Sequence, residues 1–386
     1  MKKLILPLLL ILGGTLFSQS IDVNLKADKA TSPIKHVRFL NNNKIAYCRN
    51  YSEAIRVIDL SKLTISSYWD LKGRPEGFEF SNNRKFMIGT MIEGDMGMWN
   101  ARNGKLLYRI EEKAEYYSGP RSLAFTPDNK HFQAFNSCDL ISYAIRSGEK
   151  VDSISPLESD CMYRGVFTKD MKRFYTGGND SLWVYARESQ KVIAKIETNA
   201  LSVITDVAIS PDEKMIAYSG RSGLWIVAPD LSLIFDLKGE KGWIREIAFS
   251  RDGKYLFSCS GSFKSNDYAI RIWSTETGKC EKVFTQNESV NSIDVSPDGK
   301  WLISGHDDRS MKIWDIGDRK LVATIIPMIA THGFSERFLI YTASSAYYGH
   351  EEFFKYADVR VDGQKITAIS NPEMSKKAVI KELKGK

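Results

Sequence analysis

Apolar and polar residues alternate in short bursts along most of this chain, and the bursts are separated by clusters of turn-forming residues. The clearest set spans residues 292–315 and reads SIDVSPDGKWLISGHDDRSMKIWD. Ile293 and Val295 place one face of a strand in a core. Asp298-Gly299 supplies a turn that tolerates positive φ and brings the chain back antiparallel as a second strand from Trp301. An Asp-rich reversal at 306–308 then leads to a third strand ending Ile313-Trp314-Asp315. Three strands and two tight turns in about 24 residues make a meander. Alone it buries too little to be stable, so it needs neighbours of its own kind.

The chain supplies them. In the same register lie SRDGK at 250–254, SPDEK at 210–214, TKDMK at 168–172, TPDNK at 126–130, SNNRK at 81–85 and LNNNK at 40–44. A degenerate eighth copy, SER at 335–337, follows Gly333-Phe334. The step of about 39 to 46 residues matches blades of four strands arranged around an axis. Counting turn signals predicts eight blades, with seven as the alternative that leaves the weak last unit without a blade of its own.

Blade one is expected at 37–40, 44–48, 55–59 and 64–69, and fourth strands at 106–110, 192–196, 282–285 and 321–325. The eighth unit is expected at 338–344, 353–359 and 365–369. The third-strand position keeps a large or apolar residue, as in Trp99, Tyr143, Tyr185, Trp273 and Trp314, whereas the Asp after it is kept only sometimes. An open ring would expose two bare sheet edges. The strand at 21–25 is therefore expected to pair beside C-terminal strands and close the ring.

Composition adds little against this all-β reading: aromatic residues make 11% of the 386, and no stretch holds a sustained helical apolar period. Residues 1–20 are a different object. Lys2 and Lys3, an apolar run at 4–16, and the small residues Ser18 and Ser20 have the pattern of a removable secretory signal. The run is short for a bilayer span. The expected organisation is a signal at 1–20, a β-propeller at 21–370 and a solvated Lys-rich tail at 371–386. Removing Lys2 and Lys3 lowers the formal charge from +7 to +5, and the remaining charge is scattered. That gives little support to nucleic-acid binding.

The sequence resembles WD40-repeat β-propellers over residues 21 to about 370, most strongly in YAIRIWSTETGK and SGHDDRSMKIWD. Its SPDGK turns are also similar to those of exported TolB-like propellers, which are usually six-bladed. The resemblance implies a ring with a central channel and a binding surface on the face bearing the loops from fourth to first strands and from second to third strands. The family's His before the first strand is missing from most units, and Gly305-His306 stands between second and third strands instead. Its structural hydrogen-bond tetrad is thus expected to be mostly incomplete.

In the WD-like register the residue five before each turn's Ser or Thr points to that face. It is Lys35, Glu76, Arg121, Tyr163, Thr205, Arg245 and Asn291 in successive blades. Loop neighbours add Arg74, Tyr116, Tyr117, Arg164, Trp243, Tyr347 and Tyr348. Arginines and aromatics are typical anchors of protein interfaces; the competing reading is that they pack on their own blades. Cys138 and Cys161 fall on turns of one face of adjacent units and form a candidate disulfide, the alternative being two free thiols. Cys48 and Cys259 occupy corresponding second-strand positions and read as small buried hydrophobes.

The five histidines do not cluster at metal-ligand spacing, and His306-Asp307-Asp308 reads as a strand reversal in which Asp accepts backbone N–H bonds. No nucleophile elbow, zinc-protease helix, phosphate loop or dinucleotide fingerprint accompanies the repeats. The expectation is an exported, non-enzymatic interaction scaffold of the bacterial periplasm or envelope, monomeric outside its complex, without cofactor, metal or membrane span. The alternatives are a channel-centred enzyme of lactonase-like or quinoprotein-like type, and a peptide- or glycan-binding propeller.

Overall fold

Each turn signal closes a hairpin between the first and second strands of one sheet, and its side chains explain its recurrence. In SRDGK the Ser250 hydroxyl donates to Asp252 Oδ1 at 2.6 Å and accepts the Tyr255 N–H at 2.9 Å, while Asp252 Oδ1 accepts the Lys254 N–H. The hydroxyl-to-carboxylate bond repeats from Thr126 to Asp128, Thr168 to Asp170, Ser210 to Asp212 and Ser296 to Asp298. The turn needs one residue at positive φ. Gly253 and Gly299 supply it in two blades, whereas Arg84, Asn129, Met171 and Glu213 adopt it in the others at a steric cost.

The computed structural model describes residues 21–25, 32–50, 54–70, 75–91, 94–111, 122–136, 139–154, 164–189, 191–197, 203–221, 223–261, 267–328, 337–344, 346–349, 357–361, 364–366 and 372–384. Among these, the strands form seven antiparallel sheets of sequential connectivity plus one small three-stranded sheet. Blade one runs from Ile34–Asn41 to Thr64–Asp70, and blade seven from Val290–Val295 to Lys320–Met328. First strands contact one another in order around the ring, and that of blade seven contacts that of blade one.

Packing between blades holds the ring. An apolar cluster fills each of the seven gaps between neighbours. The closing gap joins Val37, Phe39 and Tyr47 of blade one to Ile303, Met311 and Ile313 of blade seven, all essentially buried. Cys48 and Cys259 are fully buried in two of these clusters, in keeping with their reading as small hydrophobes. Burial pushes the Cys48 thiol up to about 12.

The ring therefore has seven blades, the alternative that the turn count left open. The eighth unit does not start a radial sheet, because its first strand, Arg337–Thr342, pairs with the long outer strand Lys320–Met328 from Ala323↔Thr342 to Met328↔Arg337. Tyr347–Gly349 adds a sixth strand to this sheet. The terminal strands pair, Ile21–Leu25 running antiparallel to Ala357–Val361 in a small sheet with Gln364–Ile366, but this pairing does not close the ring as expected: blade seven packs directly on blade one. That sheet lies outside the blade series and packs through Ile21, Val23, Val359 and Ile366 on Ile326, Leu339, Tyr341 and Tyr347.

The Lys-rich tail differs from its expectation of a frayed end. Residues Pro372–Leu383 form a helix whose Val379 is fully buried against the cluster between blades seven and one, with Ile380 and Leu383 beside it. Apolar residues at positions 379, 380 and 383 share one face, and that stripe outweighs the surrounding lysines.

Candidate docking face and central channel

The first strand of every blade lines the channel with its inner edge unpaired, so its N–H groups need acceptors. Side chains of the preceding blade provide them. Asp206 accepts the Ile247 N–H at 2.9 Å, Glu246 the Ile293 N–H at 2.8 Å, Ser292 Oγ the Val37 N–H at 3.2 Å, and Asp294 the Phe39 N–H at 2.7 Å. These residues stand four or two before the turn's Ser or Thr, the positions that face the axis. Blades five, six, seven and one are stitched in this way.

The same positions carry a charged network. Arg38 donates to Glu79 at 2.5 Å and to Glu246 at 2.6 Å, and Arg164 lies 3.3 Å from Asp206 and 3.2 Å from Glu246. Burial opposes the charge on Arg38, but Glu246 and Glu79 outweigh it and raise its pKa. Burial likewise disfavours the charged forms of Glu79 and Glu246. The adjacent Arg38, with Arg164 beside Glu246, nevertheless holds both well below the usual glutamate range. Asp206 goes the other way: burial raises it, and Arg164 offsets this only in part. His36 is kept neutral mainly by burial, and its Nε2–H donates to the Phe78 carbonyl at 2.9 Å. A cavity of about 350 Å³ is lined by these groups, with Ala124, Val166 and Ala208 on the apolar side.

Candidate face residues separate into groups. Lys35 and Glu76 pair with each other at 2.7 Å across blades one and two. Asn291 donates to the Ile34 carbonyl at 3.0 Å and to Asp307 at 2.7 Å, joining blade seven to blade one. Thr205 bonds Ser219 within blade five. Arg164 turns into the channel. Trp243 and Arg245 meet at the start of blade six, the guanidinium 5.3 Å from the ring centroid, where Arg221 of blade five also approaches the indole at 4.5 Å.

Tyr347 and Tyr348 lie on the sixth strand of the extended sheet, far along it from the inner strand; Tyr347 packs on the terminal sheet, and Tyr348 meets Phe338 and Lys376. Arg74, Tyr116, Tyr117, Arg121 and Tyr163 are outside the described residues, as are Cys138 and Cys161 of the candidate disulfide.

The sequence reading passed over Arg38, Glu79, Asp206 and Glu246. The signal was available: charged residues recur on strands whose alternation buries them, one or three places inside the register five before each turn.

Blades six and seven share a buried polar chain. In blade six Trp273 Nε1 donates to Ser258 Oγ at 3.0 Å, whose hydroxyl donates to Glu240 at 2.5 Å; Glu240 and Asp267 both receive Arg271. In blade seven Trp314 Nε1 donates to Ser304 Oγ at 2.8 Å, and the hydroxyl bonds His306 Nε2 at 2.7 Å. Ser304 is fully buried and its oxygen already accepts the indole N–H, so this Ser–His pair is not presented to a substrate. Burial lowers His306 to about 3. The reversal at Asp308 has the turn geometry read from sequence, its carboxylate accepting the Ser310 N–H at 2.9 Å.

The family described as WD domain, G-beta repeat matches residues 231–274 and 278–315. Each match begins at or near the outer strand of one blade and ends on the third strand of the next. Among curated proteins, the nuclear distribution protein nudF of Aspergillus niger is 32% identical over 104 residues, which is 27% of this chain and 23% of that protein. The target of rapamycin complex subunit wat1 of Schizosaccharomyces pombe is 24% identical over 132 residues, 33% of this chain and 40% of that one. The WD repeat, SAM and U-box domain-containing protein 1 of Danio rerio is 32% identical over 117 residues, 30% and 22% respectively. The aligned part thus spans between about a fifth and two fifths of these relatives. Two matched repeats on a ring of seven like sheets, each carrying the Trp–Ser bond of its blade, make this chain a WD40-repeat β-propeller.

Proposed function

We propose that this chain is an exported, non-enzymatic scaffold that docks protein partners on the face bearing the loops from fourth to first strands, in the periplasm or envelope of a bacterium. The observation that carries the reading is the mutual neutralisation of the channel charges. Arg38 and Arg164 are spent on Glu79, Glu246 and Asp206; Asp206 and Glu246 also hold the ring together, and the two arginines anchor them. Groups engaged in this way stiffen the platform, which keeps loop residues in place and limits the ordering entropy lost on binding.

The described part of the face offers Lys35, Glu76, Trp243, Arg245 and Asn291; in sequence, Arg121 and Tyr163 stand in the same register and Arg74, Tyr116 and Tyr117 neighbour it. A similar protein bears the name of a complex subunit, which favours the scaffold class. Export rests on the signal-like pattern of residues 1–20, whose removal leaves every described strand intact. The chain acts as a monomer outside its complex.

Fractionation with N-terminal sequencing of the mature chain tests export; cross-linked pull-down from envelope extract, with stoichiometry measured, tests the scaffold. A stoichiometric partner is expected. A chain retaining residues 1–20 in the cytoplasm overturns export. No partner, together with one tightly bound metal ion per chain, overturns the scaffold.

A further inference from the structure

Trp243 sits in the loop that enters blade six, and that loop is pinned. Its carbonyl accepts the Gly261 N–H at 3.0 Å, and the neighbouring Lys241 N–H donates to Asp267 at 2.8 Å. Two arginines approach the half-buried indole: Arg221, exposed in the loop after the second strand of blade five, and Arg245, half-buried on the first strand of blade six. Neither has a carboxylate partner among the described residues. Arg245 Nε and Trp243 Nε1 are buried polar atoms without a hydrogen-bond partner.

Other cations on this side are engaged: Lys35 with Glu76, Arg271 with Glu240 and Asp267, Lys312 with Asp308. Two like charges held against one ring repel each other, and an indole face returns only about 1 kcal/mol to each. An incoming anion relieves that repulsion and accepts from donors already in place.

We propose that Arg221, Trp243 and Arg245 form a preorganised pad for an acidic segment of a protein partner. This rests on the scaffold reading and deepens it by assigning the partner's chemistry. A carboxylate-bearing peptide fits better than a nucleic acid. The pad offers two cations without a carboxylate partner among the described residues rather than a continuous basic stripe that could follow a polyphosphate. The indole supplies apolar area beside the charges, the composition of an interface anchor.

The test selects binders from an unbiased library of random short peptides displayed against the full chain. Selected peptides are then titrated by fluorescence anisotropy against wild type, Arg221→Ala/Arg245→Ala and Arg221→Lys/Arg245→Lys. Selected sequences rich in Asp and Glu are expected, with affinity falling by about tenfold or more in the alanine pair and partly kept in the lysine pair. Unfolding temperatures equal to wild type show that the variants are folded. Selected peptides that are not acidic, or that bind the alanine pair as well as wild type, overturn the pad and leave the scaffold standing. A library that yields no binder likewise overturns the pad, whereas the scaffold falls only on the pull-down and metal analysis. A single-stranded oligonucleotide is titrated in parallel; if it binds more tightly than any peptide and is lost in the alanine pair, the pad recognises phosphate and the peptide assignment falls.

Discussion

Arg38 and Arg164 in the channel and Arg221 and Arg245 at its rim belong to the same blade system but stand in opposite circumstances. Each channel guanidinium lies within 3.3 Å of two carboxylates, and those carboxylates or their neighbours also accept backbone N–H bonds from the next blade. The rim pair rests on an indole and meets no carboxylate among the described residues. The difference separates charge that maintains the ring from charge available to something outside it. A buried ion must be neutralised where it stands, because leaving it unpaired costs several kcal/mol. An exposed one can wait for a partner at little cost.

The contrast breaks first at Arg38. Replacing it with Ala leaves Glu79 and Glu246 facing each other across the site without their shared cation, and a loss of about 3 to 5 kcal/mol is expected. Denaturant unfolding measures it. The double change Arg38→Ala/Glu79→Ala should recover part of the loss, since the two residues share one network. A single variant within experimental error of wild type would show that the network is ornamental.

A smaller effect is expected inside blade six. Ser258→Ala strands the Trp273 N–H and removes one bond from Glu240, both buried, at a cost of about 1 to 3 kcal/mol. The equivalent Ser304→Ala in blade seven strands the Trp314 N–H and leaves His306, which is neutral, without its bond. The blade-six change should therefore cost more, because its third member carries a charge. Equal losses in the two blades would mean that the Trp–Ser bond alone matters.

Acidification probes the channel more gently. Glu79 and Glu246 are depressed in the folded state, so their contribution is present above the ordinary glutamate value of 4.5 and is lost as pH falls below it. Asp206 is raised, so ionising it costs stability as pH rises through its folded pKa, and protonating it on the way down removes that cost. Two buried histidines act in the other direction: His36 and His306 are lowered, so the unfolded chain takes up protons near 6.5 that the folded chain refuses, and stability present above that pH is lost as it falls. The unfolding temperature should therefore fall from just below neutrality, slowed by Asp206, and fall further below about 4.5. An unfolding temperature that stays level from pH 7 to about 5 would contradict the directions assigned to the two histidines.

Much of the ring was legible from the turns. The Ser/Thr hydroxyl, the Asp and the following apolar strand recur because the hairpin's own hydrogen bonds demand them, so local chemistry prints a global repeat. The blade count was less legible. Arg337–Thr342 has the apolar character of a first strand, and nothing local decides whether such a strand opens a new sheet or joins the edge of the previous one. The tail helix was hidden for a similar reason, since Val379 finds its cover outside the tail, in residues of blades one and seven. Along the first strands, the position five before the turn singles out Lys35, Arg245 and Asn291 and passes over the charges one and three places further on. A buried strand is expected to be apolar, and it takes the ring to reveal that these positions face an axis and unpaired backbone rather than a core.

The smallest stability effect is expected where the binding effect should be largest. Arg221→Ala and Arg245→Ala each remove a cation that has no carboxylate partner among the described residues, and each relieves repulsion from the other. Their stability changes should stay within about 0.5 kcal/mol of wild type, with a stabilising sign as readily as a destabilising one. Arg38→Ala, one ring of residues further in, removes the same guanidinium and should cost several times more. If Arg245→Ala proves as damaging as Arg38→Ala, then Arg245 is holding the blade and the distinction between structural and available charge fails. A near-neutral Arg245→Ala, by contrast, leaves its unpaired guanidinium without a structural reason for its place at the channel mouth.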